Sequence, residues 1–179
     1  MKNKIVAPIL AIVIAAVVLF GGKAILSSKA EANVEIANNK IMLSLLPGST
    51  SFAAEEFDAE ANSAIKSVYK AENGYVIESA AYGYNGDIVL MVGVSNEGTV
   101  TGVVVKDLQE TRGLGAKALT DVPFLAQFLW TGGDAEIGTN VDALAGATVS
   151  SKAVTKAVNA AVGYVTGADT SSAATEWGG

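Results

Sequence analysis

The chain has no cysteine and no histidine among its 179 residues. Without thiols there is no disulfide, no iron–sulfur ligand set and no lipobox for lipoprotein processing. Without imidazole there is neither a histidine general base nor a histidine-ligated haem. Redox chemistry in such a chain must come from a bound cofactor. Charge is scarce too: 17% of residues are Asp, Glu, Lys or Arg, and the net charge is −6. No basic cluster follows the first few residues, which excludes a nucleic-acid surface built on a Lys/Arg stripe. The chain shows no internal repeat, no βαβ alternation and no dinucleotide fingerprint.

What is present begins with Ile5 to Gly22, 18 residues without a charge, preceded by Lys2 and Lys4. That length suffices to cross the hydrocarbon core as a helix. The flanking lysines put the short N-terminal side in the cytoplasm. The competing reading is a cleaved signal peptide with Ser28-Lys29-Ala30 as its small-residue site. Against it, the apolar core from Ile5 to Phe20 exceeds the usual h-region of about 7–15 residues. A retained single-pass anchor over residues 1–22 is expected, with the rest of the chain on the extracytoplasmic side.

From Ile25 to Leu46 a loose helical stripe (Ile36, Ile41, Leu45, Leu46) predicts a stalk helix ended by Pro47-Gly48, giving a stalk over residues 23–48. An acidic segment to Glu60 follows, read as helical or irregular. Strands are expected at Ser67 to Ala71 and Tyr75 to Tyr82, joined at Asn73-Gly74. Two more, Ile88 to Val94 and Thr99 to Val105, turn at Asn96-Glu97-Gly98. Asp121 with Pro123 starts a short helix through Leu129. Ala153, Val154, Ala157, Val158, Ala161, Val162 and Val165 then form a helical stripe closed by Gly167. The fold class is therefore α+β: an N-terminal transmembrane helix, then an antiparallel-sheet domain with flanking helices over residues 49–167. Residues 168–179 read as a flexible tail.

The chemistry concentrates in Asp142-Ala143-Leu144-Ala145-Gly146-Ala147-Thr148-Val149-Ser150-Ser151, just ahead of that last stripe. A Gly-Ala-Thr turn opening a helix offers unpaired N–H groups, a positive dipole end and hydroxyls, which together suit a phosphate. The plainer reading of Ser and Thr at such a position is capping. The segment resembles the flavinylation motif of the FMN-binding domain family, in which an Asp precedes Ser/Thr-Gly-Ala-Thr and the last Thr carries FMN as a phosphoester. Asp142 lies six residues before Thr148, as the pattern asks, and Ala145 stands where the family usually has Ser or Thr.

A second segment, Gln109-Glu110-Thr111-Arg112-Gly113-Leu114-Gly115-Ala116-Lys117, resembles the family's Glu-Thr-Pro-Gly-Leu-Gly stretch, with Arg112 in place of Pro. By itself it reads as a glycine-punctuated loop. Gly83-Tyr84-Asn85-Gly86-Asp87-Ile88 and Asn96-Glu97-Gly98 are similar to the family as well, and the likeness covers roughly Ile65 to Val165 and, more loosely, the N-terminal part.

The resemblance implies one covalent FMN on Thr148, with Gly146 and Ala147 forming the turn and Asp142 read by a flavin transferase that takes FMN from FAD. Ser150 and Ser151 either bond the phosphate or cap the helix. Glu110, Thr111, Gly113, Leu114 and Gly115 would lie against the flavin. The two glycines let the backbone approach the ring, and Leu114 packs on it. Lys117 offsets flavin or phosphate charge, unless it is simply solvated. No metal site is expected. The chain is most similar to the G subunit of Rnf-type ion-translocating ferredoxin:NAD oxidoreductase complexes. This implies an electron-transfer subunit that has other membrane subunits as partners and no independent catalysis. The alternatives are a subunit of a sodium-pumping NADH:quinone reductase and a free-standing extracytoplasmic electron shuttle.

Overall fold

The computed structural model describes residues 38–108 and 121–168, which contain five strands and three helices. The expected anchor over residues 1–22, most of the stalk and the tail after Ala168 lie outside the described residues. Among the described residues, no helix is long and apolar enough to cross a membrane.

The strands are β1 (Ala53–Glu55), β2 (Ile65–Ala71), β3 (Gly74–Tyr82), β4 (Asp87–Ser95) and β5 (Val100–Leu108). They form one antiparallel meander in sequence order. The tight hairpins carry turn residues that the sequence supplies: Glu72-Asn73 between β2 and β3, and Gly98, at φ +78°, before β5. The α+β expectation for this region, an antiparallel sheet with flanking helices, is borne out. The acidic stretch after Pro47 differs from the expected helix or coil. It contributes β1, a three-residue edge strand pairing Ala53–Glu55 with Val68–Lys70. With no β-branched residue in Ala53–Glu55, the pattern gave no strand signal there.

Helix α1 is described over residues 38–45, α2 is Val122–Ala126 and α3 is Thr148–Thr166. α3 covers one face of the sheet, packing on β3 and β4. Val154, Ala157, Val158, Ala161 and Val162 meet Ile77, Ile88, Leu90, Val92 and Val94, all essentially buried. Its small side chains bring the helix close to the sheet, and Gly167 ends it in the left-handed region at φ +67°. Phe124 and Phe128 join the same core edge to face, their ring centroids 5.3 Å apart. Burial raises the Tyr164 hydroxyl above its ordinary range, aided by Glu55, to which it donates at 3.3 Å.

The opposite face holds a smaller cluster: Met42, Leu45 and Leu46 against Val76 and Met91. The compact unit thus begins at Ile41, within the stretch expected to be stalk. Leu45 sits over the cross-strand pair Gly93↔Gly102. A Cβ on Gly93 would lie 2.3 Å from the Leu45 carbonyl oxygen, and one on Gly102 would lie 2.9 Å from Leu45 Cδ2. The Thr101 hydroxyl donates to the same carbonyl at 2.6 Å.

α2 is shorter than expected. Asp121 caps it as the sequence suggests, accepting from the Phe124 N–H at 3.0 Å. After Ala126 the chain tightens into i→i+3 turns, and Trp130 enters the left-handed region at φ +70°. Trp130 N–H donates to Val100 O at 2.9 Å, and Val100 N–H donates to Thr131 O at 3.0 Å. Pairing with the start of β5 ends the helix before Leu129.

Candidate functional site

Thr148 opens α3, directly after the segment 132–147. That segment has almost no regular structure. Its N–H and C=O groups find partners partly in local backbone turns, such as Val141 N–H to Glu136 O at 3.2 Å, and partly in side chains.

The first comes from within α3. Asn159, buried to 1% exposure, accepts the Ala135 N–H at 3.2 Å and donates to the Ala135 carbonyl at 2.8 Å. One carboxamide thus replaces a strand partner for one residue. The loop then closes on itself. Glu136 N–H donates to Asn140 Oδ1 at 2.7 Å, Asn140 Nδ2 to Asp134 O at 3.0 Å, and Gly138 N–H to Val141 O at 2.8 Å. Val141 drops into the core.

The second partner comes from α2. Asp142 N–H donates to Gln127 Oε1 at 2.8 Å, and Gln127 Nε2 donates back to Asp142 O at 3.4 Å. The Asp142 residue itself is exposed. The third is Ser151, whose hydroxyl accepts the Leu144 N–H at 3.1 Å and donates to the Ala147 carbonyl at 2.9 Å. Leu144 O in turn receives the Ala147 N–H at 3.0 Å. Gly146 turns the chain at φ +77°, a conformation in which a side chain would be strained.

The result is an exposed Thr148 on a buried, stapled base: Ala147, Ser150 and Ser151 are at most 6% exposed. Ala147 provides no side-chain cap to α3, and its first turn carries no carboxylate. The positive end of a 19-residue helix is thus unneutralised by its own side chains. This arrangement fits a phosphate esterified at the Thr148 hydroxyl. The Ser151 hydroxyl is engaged by the loop as both donor and acceptor, and Ser150 is buried at 2%.

Glu110, Thr111, Gly113, Leu114, Gly115 and Lys117 lie outside the described residues. Leu108, the last residue of β5, pairs with Ile88 beside the β3–β4 hairpin. Thr166 abuts Gly98 at the other end of the sheet. A helix of 19 residues spans about 28 Å and a nine-residue strand about 30 Å. α3 therefore begins at the end of the sheet where β5 finishes. Sequence reasoning did not find Gln127 or Asn159. A polar Asn inside the apolar α3 stripe was the available signal.

The FMN-binding domain family matches residues 83–163, from the β3–β4 hairpin to the last turns of α3. The chain is 37% identical over 137 residues to the G subunit of the ion-translocating oxidoreductase complex of Methanosarcina acetivorans, covering 69% of this chain and 72% of that one. It belongs to this family of FMN-binding proteins. Further relatives in the family are the G subunit of the proton-translocating ferredoxin:NAD(+) oxidoreductase complex of Clostridium ljungdahlii, 39% identical over 113 residues, and its Na(+)-translocating counterpart from Acetobacterium woodii, 33% over 98. These alignments cover 56% and 50% of this chain, and 60% and 47% of the two relatives.

Proposed function

We propose that this chain is an electron-transfer subunit of an Rnf-type ion-translocating ferredoxin:NAD oxidoreductase complex, carrying one FMN as a phosphoester of Thr148. One observation carries the reading: an exposed threonine at an uncapped helix N-terminus, at the end of a loop fixed by side chains, in a chain of the FMN-binding family. Supporting it are the names of the relatives, all subunits of ion-translocating oxidoreductase complexes, and the absence of Cys and His from the whole sequence. The partners are the other membrane subunits. Residues 1–22 anchor the chain with its N-terminus in the cytoplasm and the flavin domain outside.

Attachment needs a flavin transferase with FAD as donor. The Thr148 Oγ–phosphorus bond forms as the FAD pyrophosphate bond breaks, AMP leaves, and the hydroxyl gives up its proton. Asp142 is the carboxylate that the transferase reads. The N–H groups of the α3 first turn would hold the phosphate, and Gly146 leaves the approach free of a side chain. Bound FMN supplies one- and two-electron transfer; the chain supplies its placement. An isolated, flavinylated chain is expected not to oxidise NADH at a significant rate.

The test is in-gel flavin fluorescence after denaturing electrophoresis of the full chain made with a flavin transferase. Wild type fluoresces, Thr148→Ala does not, and Thr148→Ser retains part of the signal. Fluorescence persisting in Thr148→Ala overturns the assignment. Rapid NADH oxidation by the isolated subunit overturns the relay role.

A further inference from the structure

We infer that Gln127 is a positioning residue for flavinylation: its carboxamide holds the main chain of Asp142 so that the carboxylate faces outward, in register with Thr148. The inference rests on the reading of Thr148 as the acceptor.

The geometry is specific. Asp142 is gripped at both its N–H and its carbonyl by one side chain. A carboxamide offers a donor and an acceptor side by side without charge. Gln127 is itself well fixed. It is the C-cap of α2, its N–H donates to Phe124 O at 3.2 Å, and the buried Phe124 and Phe128 lie on either side in sequence. On the loop side, Val141 is buried and Leu144 is stapled to Ser151. Between those anchors Gln127 meets the peptide groups on both sides of Asp142, while the Gly138 N–H holds Val141 O on the first of them; of these, Gln127 alone also fixes the second, and hence the direction of the Cα–Cβ bond.

The clamp lies at the surface: Gln127 is half-buried, Asp142 is exposed, and both hydrogen bonds are open to solvent. When it is removed, the freed groups reach water, so the fold survives while the loop gains conformations. A transferase that must find Asp142 and Thr148 in one arrangement then meets it less often. Losing two neutral hydrogen bonds that select that arrangement predicts a roughly tenfold fall in flavinylation kcat/KM.

The experiment uses purified full-length apoprotein with a flavin transferase and FAD, following covalent flavin by intact mass and the melting temperature in parallel. Gln127→Ala is expected to slow incorporation about tenfold. Gln127→Met, which keeps the side chain's bulk but neither hydrogen bond, should slow it equally. Val68→Ala, a buried truncation in β2 that touches neither Gln127 hydrogen bond, should lower the melting temperature without slowing incorporation. Unchanged rates in Gln127→Ala overturn the inference. So does recovery in Gln127→Met, which would mean packing alone, or equal slowing in Val68→Ala, which would mean general destabilisation. A wild-type chain that takes up no flavin overturns instead the assignment of Thr148.

Discussion

Strands β3 and β4 hold each other through nine consecutive registered pairs, from Gly74↔Ser95 to Tyr82↔Asp87. The segment 132–147 depends on three side chains lent by helices: Asn159, Gln127 and Ser151. Both regions are ordered, but by different means. In the ladder, backbone bonds repeat whatever the side chains are, so order is shared among many equivalent contacts and the apolar face decides stability. In the loop, a few irregular backbone bonds are supplemented by particular polar side-chain atoms, each fixing a peptide group that no ladder reaches. Such order is easily lost one residue at a time, which suits a segment whose shape another protein must recognise.

The contrast can be broken from either side. The largest stability effect belongs to the sheet: Leu90→Ala, at a fully buried position under α3, should cost about 2–5 kcal/mol in denaturant unfolding. It should leave covalent flavin per folded molecule unchanged. Asn159→Ala strands the N–H and carbonyl of Ala135, itself fully buried, and should cost roughly 1–3 kcal/mol. Unlike the sheet variant, it should also lower flavin uptake by the protein that remains folded. If Leu90→Ala lowers uptake per folded molecule as much as Asn159→Ala does, the two regions are not held separately. The smallest effect is at Ser79, whose hydroxyl on β3 is fully buried with no hydrogen-bond partner among the described residues. Ser79→Ala should range from no change to a gain of about 1 kcal/mol. A loss beyond that range would mean that the hydroxyl is satisfied in solution.

The same division explains what could be read in the sequence. Val, Ile and Tyr runs punctuated by Asn-Gly and Asn-Glu-Gly gave β2 to β5 within a few residues, because hairpin order is local and its turn residues are visible. Asp121 and Gly167 gave the start of α2 and the end of α3 for the same reason. The edge strand β1 was not legible, since it lacks β-branched residues and forms only because Val68–Lys70 offers an open edge. The premature end of α2 depends on Val100, thirty residues before Trp130. Of the site, Gly146, Ala147 and Thr148 were recognisable as a phosphate-compatible turn. Gln127 and Asn159 were not, because a carboxamide on a helix carries no local mark of the distant peptide it will bind.

The seat of Leu45 on the Gly93↔Gly102 pair has a mechanical meaning. A tension applied to the chain at residue 41 reaches the domain through Leu45 and Leu46, which bear on β3, β4 and β5 together. Had the load entered at β1, three residues at the rim of the meander, it would peel that strand pair by pair. The docked helix end instead spreads the pull over three strands at once, as a rivet does.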